Sequence, residues 1–284
     1  MKKIIALALT ALMLISLVAC NSTDSSDLTN IGDYAAPSYT YVTDKGVFTY
    51  AEGTGDTAII TGYKATTTEP HAVIVPNAVG ESDDRIVVSI AKEAFREASA
   101  YVTSVKLPAT VTTIESGAFH SCKALVEISI PDAVVSIGDL AFYDCTSLTS
   151  VKIGGTAELK TIGNYAFANC TSLENFTFSE NIESIGIGAF QGSAIKAVKL
   201  PESVSSIGAQ AFIECENLNY EGCITLTANV TNIGKYAFST DVEFISFPST
   251  SYLDKYFGVE AEEETTTEET TEEATTEENT DAAA

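Results

Sequence analysis

Six cysteines and two histidines are the residues of this chain whose types could support nucleophilic, redox or metal chemistry. Four of them, Cys122, Cys145, Cys170 and Cys215, each stand three residues after a phenylalanine, and Ala98, Ser193 and Asp241 fill the equivalent place elsewhere. A position shared by Cys, Ala and Ser suits a small buried side chain, so one reading is a ladder of free thiols acting as small hydrophobes. Disulfides between stacked neighbours are the other reading, with Cys215 and Cys223 the better-placed pair because Cys223 lies in an insertion. Metal binding is not expected, since there is no C-x₂-C and no histidine beside a cysteine. His71 precedes a strand pattern and His120 lies in a polar turn, and neither has a Ser or Cys partner implied by spacing. Asp83 and Asp84 are adjacent carboxylates in an inserted loop, where a solvated tip is expected rather than an acid–base pair. Gly53-Thr54-Gly55 fits a hairpin turn without a phosphate role. No G-x-S-x-G elbow, H-E-x-x-H, Walker loop or EF-hand spacing occurs. The expectation is a protein that is not an enzyme and carries no cofactor.

The chain that must position these residues is 284 long and 45% hydrophobic, enough for a sizeable core. Acidic residues outnumber basic ones 39 to 15, and the last 25 residues hold ten Glu and one Asp with no Lys or Arg. Those eleven charges separate the full net charge of -24 from a body of -13. An acidic body argues against nucleic acid as a partner. At the other end, Lys2 and Lys3 precede an apolar run from Ile4 to Val18, too short to span a membrane comfortably, and Ala19 precedes Cys20. That is the pattern of a removable export signal. The junction Leu17-Val18-Ala19-Cys20 resembles the bacterial lipobox, which implies lipidation of Cys20 and a stable membrane anchor. The expected location is extracytoplasmic, as a membrane-anchored lipoprotein on a bacterial cell surface.

Between Ile86 and Pro248 the sequence repeats itself seven times, and the repeat decides the fold. An Ala-Phe pair recurs at Phe95, Phe119, Phe142, Phe167, Phe190, Phe212 and Phe238, at intervals of 24, 23, 25, 23, 22 and 26 residues. Five residues before each Phe stands an Ile, from Ile90 to Ile233. After the Phe comes a polar stretch, then apolar residues at i, i+3, i+5, such as Leu125, Ile128 and Ile130, often closed by Pro. A short strand turned inward on one face, ended by Pro, then a turn burying Ile and Phe, describes a coil. A coil cannot cover its own apolar face, so coils stack and their strands pair in parallel. Ala before each Phe would let neighbours approach. Gly follows the Ile in five coils but Ala91 and Glu115 replace it in two, so close approach, not positive φ, explains the glycine.

The string Ile-Gly-x-x-Ala-Phe-x-x-Cys-x-x-Leu, at Ile137–Leu148 and Ile162–Leu173, resembles the BspA-type leucine-rich repeat. The resemblance implies a leucine-rich-repeat solenoid: mostly β with parallel stacked strands, short helical turns and an N-terminal β cap, with about eight coils. The expected organisation is a signal peptide at 1–19, a flexible tether at 20–39, a β cap at 40–72, the solenoid at 73–252 and a disordered acidic Glu/Thr tail at 253–284. The tail suits a solubilising brush, a weak divalent-cation sink or a glycosylated segment. The resemblance also implies a surface role in adhesion or protein–protein contact.

If the strands stack in register, one outward position runs along the sheet as Lys106, Ser129, Lys152, Thr177, Lys199, Thr225 and Ser246. Lysines fall two coils apart, which limits their mutual repulsion. One reading is a binding stripe for an extended anionic or hydroxyl-rich ligand, a protein or glycan on another surface. The other is a solvated sheet face. An alternative to adhesion is a carbohydrate-binding lipoprotein of a glycan-uptake system, for which Tyr220 and Phe244 are the nearest aromatic residues. The chain is expected to be a monomer, with the membrane as partner only through Cys20.

Overall fold

A strand with alternating inward residues carries one apolar face, and winding is how this chain covers it. The computed structural model describes residues 38–154, 156–219, 223–238 and 245–246. The leader, Cys20, the tether up to residue 37, the acidic tail, Tyr220 and Phe244 lie outside the described residues. The N-terminal strands β1 (Tyr39–Val42), β2 (Gly46–Glu52) and β3 (Thr57–Ala65) run antiparallel to one another. They lead into β4 (His71–Ile74), β5 (Ala78–Val79) and β6 (Arg85–Ile90). Beyond these, each coil supplies a strand on one side and a two-residue strand on the other, except the coil of Phe176 and Phe178, which supplies only the two-residue strand. The first set is β7 (Val102–Lys106), β9 (Glu127–Ile130), β11 (Ser150–Ile153), β14 (Val198–Lys199), β16 (Ile224–Thr225) and β18 (Ile245–Ser246). The second is β8 (Thr113–Ile114), β10 (Ser136–Ile137), β12 (Thr161–Ile162), β13 (Ser184–Ile185), β15 (Ser206–Ile207) and β17 (Asn232–Ile233).

The second set continues from β3 and β6 as one parallel ladder in an eleven-stranded sheet that also holds β1, β2 and β5. Its register aligns Ile90, Ile114, Ile137, Ile162, Ile185, Ile207 and Ile233, which is six turns of chain rather than eight. The first set forms two sheets, β11-β9-β7-β4 and β14-β16-β18. The break falls at the coil where Phe176 and Phe178 take the inward places that Val151 and Ile153 hold one turn earlier. Both rings are buried and meet Phe190 edge-on.

The repeat phenylalanines form a rib down the interior. Phe95, Phe119, Phe142, Phe167, Phe190 and Phe212 are all 0% exposed. From Phe119 onward each ring stacks on the next at 5.0–5.3 Å with planes within 10°. That spacing matches the separation of hydrogen-bonded strands, so ring stacking and backbone pairing impose the same rise. At the N-terminal end, Phe48 and Tyr63 pack against Phe95, and the Tyr63 N–H donates to the Ala94 carbonyl at 2.7 Å.

The expected helical turns reduce, among the described residues, to one 3₁₀ segment, Arg96–Ala98. Elsewhere the segment around Phe alternates in handedness, with left-handed residues two before and two after the ring. Leu140 and Asp144 flank Phe142 at φ 58° and 59°; Tyr165 and Asn169 flank Phe167 at 54° and 59°. This conformation costs a non-glycine residue about 1–2 kcal/mol. In return it aims alternate N–H groups at the next coil: Leu140 to Asn164 O, Phe142 to Ala166 O and Asp144 to Ala168 O, at 2.8, 2.7 and 2.9 Å. The glycines after the repeat Ile are close-approach residues. A Cβ on Gly163 would sit 2.6 Å from the Asp139 nitrogen, with no positive φ involved.

The thiols belong to this core. Cys122, Cys145, Cys170 and Cys215 are buried and free, so no Cys215–Cys223 disulfide is formed. The thiols of Cys145, Cys170 and Cys215 donate to the carbonyls of Phe119, Phe142 and Phe190 in the preceding coil at 3.2, 3.2 and 3.1 Å. Burial pushes Cys122 and Cys170 up to about 12.

Two outcomes follow. Phe167→Ala should cost about 3–5 kcal/mol, as buried aromatics do, read from thermal or denaturant unfolding; a shift of under a few degrees would place Phe167 outside the core. The raised thiols keep their protons when folded and lose them when unfolded. Their stabilisation is therefore whole below their ordinary value of 9.0 and is lost as pH climbs towards about 12. Melting temperature should fall across that window, and Cys170→Ala should make the fall shallower. An unchanged slope would contradict the assignment.

Candidate functional site

Alternation along β4, β7, β9 and β11 turns Val73, Val105, Ile128 and Val151 inward and leaves two rows of side chains outside. The first row is Ala72, Ser104, Glu127 and Ser150; the second is Ile74, Lys106, Ser129 and Lys152. Three of the seven residues expected in the outward stripe, Lys106, Ser129 and Lys152, thus stand side by side on paired strands. Lys199, Thr225 and Ser246 are likewise Cα partners across β14, β16 and β18. Thr177 is exposed between the two groups, on the coil that carries no strand on this face. The stripe is therefore carried in two groups on separate sheets, with Thr177 on the coil between them.

Two features of this face were not read from the sequence. The second row begins on Ile74, which is 69% exposed and the most open large apolar side chain described. Its place follows from the same register, one strand before Lys106. The other is an ion pair: Lys152 Nζ lies 2.9 Å from Glu127 Oε2. The two residues are 25 apart in sequence and diagonal across the sheet, so only the register brings them together. Their side chains are 63% and 51% exposed, and such surface pairs contribute little to stability. Among the described residues, Lys106 and Lys199 form no ion pair.

The face is indented twice. A depression of about 650 Å³ is lined by Ile74, Lys106, Leu107, Pro108, Ser129 and Pro131 among others. A second, of about 430 Å³, is lined by Lys152, Asn175 and Thr177 with residues of β11. Both are shallow hollows on an exposed sheet, suited to a ligand that lies along the surface.

The other reactive residue types have structural roles. His71 is 8% exposed; its Nε2 lies 3.0 Å from the Tyr63 hydroxyl and its Nδ1 2.8 Å from the Glu69 carbonyl. Burial pushes Tyr63 up to about 12, so that hydroxyl stays protonated at neutral pH. His120 stacks on Tyr143 at 5.2 Å on the outside of the turns. Asp83 and Asp84 are exposed in the loop between β5 and β6. Among the described residues no group of three or more His, Cys, Asp or Glu could hold a metal ion. No described helix is long and apolar enough to cross a membrane.

Comparison with known proteins agrees with the geometry. Residues 88–219 match the BspA type leucine rich repeat region in six copies. A leucine-rich repeat protein from Bacteroides ovatus is similar at 31% identity and a TM-score of 0.62, over 73% of this chain and 53% of that one. This chain therefore spans about half the length of that relative. The T. pallidum leucine rich repeat protein is similar at 27% identity and a TM-score of 0.60, over 73% of this chain and 92% of that one. No curated protein sequence matches. Proteins of the BspA type are typically bacterial surface or extracellular proteins. Residues 88–219 are thus a BspA-type leucine-rich repeat region, six copies of the repeat wound into one parallel-stranded solenoid.

Proposed function

We propose that this chain is a surface-displayed binding module that holds a protein partner, as in adhesion, on the outward face formed by β4, β7, β9, β11 and β14. The observation that supports it is the in-register row itself. A rigid ladder presents Ile74, Lys106, Ser129 and Lys152 together over a hollow, which is the form of an interaction surface rather than of a reaction centre. Among the described residues the two rows contain no aromatic ring, the feature that would favour a stacked sugar, so a protein partner is preferred to a glycan. Binding rather than catalysis is also in keeping with repeat solenoids of this family, which are generally non-enzymatic.

Display at the surface would rest on Cys20, through the lipobox-like Leu17-Val18-Ala19-Cys20 that follows Lys2, Lys3 and the apolar run. A lipidated cysteine would hold the chain at a membrane while the solenoid faces outward. Cys20→Ala should abolish incorporation of labelled fatty acid and release the protein from membranes; retention of label would remove the anchor from the account.

The binding face is tested by charge. Lys152→Glu with Lys199→Glu should weaken capture of a surface-extract partner by about tenfold or more, through loss of attraction and gain of repulsion. The melting temperature should be unchanged, because both side chains are exposed. Capture that is indifferent to both substitutions would exclude this face.

A further inference from the structure

The binding face has a charge opposite to that of the chain that carries it. Its two outward rows, followed through Thr177 to Thr225, contain Lys106, Lys152 and Lys199 against Glu127 alone, on a protein with a formal net charge of -24. Fields between exposed charges fade over about 8–10 Å at ordinary ionic strength, so a ligand lying on the rows senses these four residues, and Asp132 at the hollow, more than the acidic residues farther away. The ligand that complements them is anionic.

Spacing narrows its chemistry. Successive paired strands are about 4.8 Å apart, so Lys106 and Lys152, two paired strands apart, are separated by about 9.6 Å. The ring stack carries a similar step of 5.0–5.3 Å per coil past Thr177 to the coil of Lys199. A peptide in extended β conformation presents side chains to one face every second residue, at about 6.6–6.8 Å, and falls out of step with that repeat at once. A polyproline II peptide has three residues per turn and a rise of 3.1 Å, so every third side chain recurs on one face at about 9.3 Å. Acidic residues at i, i+3 and i+6 would then meet Lys106, Lys152 and Lys199 in turn.

The residues between the lysines match the rest of such a peptide. The polyproline II backbone makes no internal hydrogen bonds, so its carbonyls need donors. The side-chain hydroxyls of Ser129, Thr177 and Thr225 are exposed on the row, and none has a hydrogen bond within the described residues. By contrast, the hydroxyls of Thr112, Thr149, Ser203 and Ser205 each donate to a carbonyl of the preceding coil, whereas Ser104 and Ser150 in the neighbouring outward row are as uncommitted as Ser129. Beside Lys106, the hollow lined by Ile74, Leu107, Pro108 and Pro131 offers an apolar seat for proline rings.

We infer that the outward lysine row binds an extended polyproline II peptide of a partner protein that carries an acidic residue at every third position. This rests on the assignment of the sheet face as the binding surface, and names its ligand. Glu127 then acts as a competitor: it occupies Lys152 at 2.9 Å in the unbound protein and must release it to the incoming carboxylate.

The test uses the full chain and two labelled synthetic peptides of equal charge, four repeats of Glu-Pro-Pro and four repeats of Glu-Pro-Pro-Pro, followed by fluorescence anisotropy. The three-residue repeat should bind at least about tenfold more tightly than the four-residue one. Lys106→Gln and Lys199→Gln should each weaken it severalfold, and Glu127→Gln should strengthen it severalfold; these are surface positions, and unchanged melting temperatures verify folding. Equal affinity for the two peptides, or no gain from Glu127→Gln, overturns the inference. A sulfated oligosaccharide of the same charge that binds more tightly, with the same lysine dependence, overturns the peptide class but leaves the sheet face as the binding surface. Anion binding that ignores all three substitutions removes the sheet face as well.

Discussion

The constraint on which the molecule depends is that no coil can cover its own apolar face. Each turn of chain buries Ile, Phe and the inward residues of its strand only by lying flat against the next turn. The stacked phenylalanines and the backbone ladders set the same rise, so neither can change without breaking the other. The inside therefore dictates the outside. Once the ribs are stacked, the outward side chains fall into rows whose spacing is fixed by the backbone, not by their own interactions.

That transfer of order explains how a face without a deep cavity could be specific. A flexible set of lysines would lose entropy on ordering around a ligand, whereas lysines rooted on paired strands are already in line. It also explains why the core cysteines are shielded from solvent. They point into the same interior, donate to carbonyls of the preceding coil, and are held protonated by burial. The thiols lie inside the coils and the platform outside, and only the outer side is open.

Much of this was legible in the chain because burial repeats. Ile, Ala, Phe and the small third residue recur at each coil, and that recurrence located the ribs, the parallel strands and the outward row. Less was legible where the cause is conformational or depends on register. Glu93, Leu140, Tyr165 and Gln210 share a left-handed backbone with Gly117 and Gly188, yet no common side chain marks the position. The expected helical returns gave way to turns for that reason. Phe176 and Phe178 fit the apolar pattern, but their size coincides with the break in the ladder. The Lys152–Glu127 pair and the His120–Tyr143 stack join residues more than twenty apart, and they appear only when adjacent coils are laid side by side.

The central claim is that the outward row remains one line across that break, from the coil of Lys106 to the coil of Thr225. Paired spin labels at Lys106→Cys and Thr225→Cys measure it directly, since five coil steps separate the two positions and the core thiols are buried. The account predicts a narrow distance distribution centred, after allowance for the labels, near about 24 Å. A broad distribution, or a centre beyond about 35 Å, would mean that the coils do not share a common stack and that no continuous platform exists.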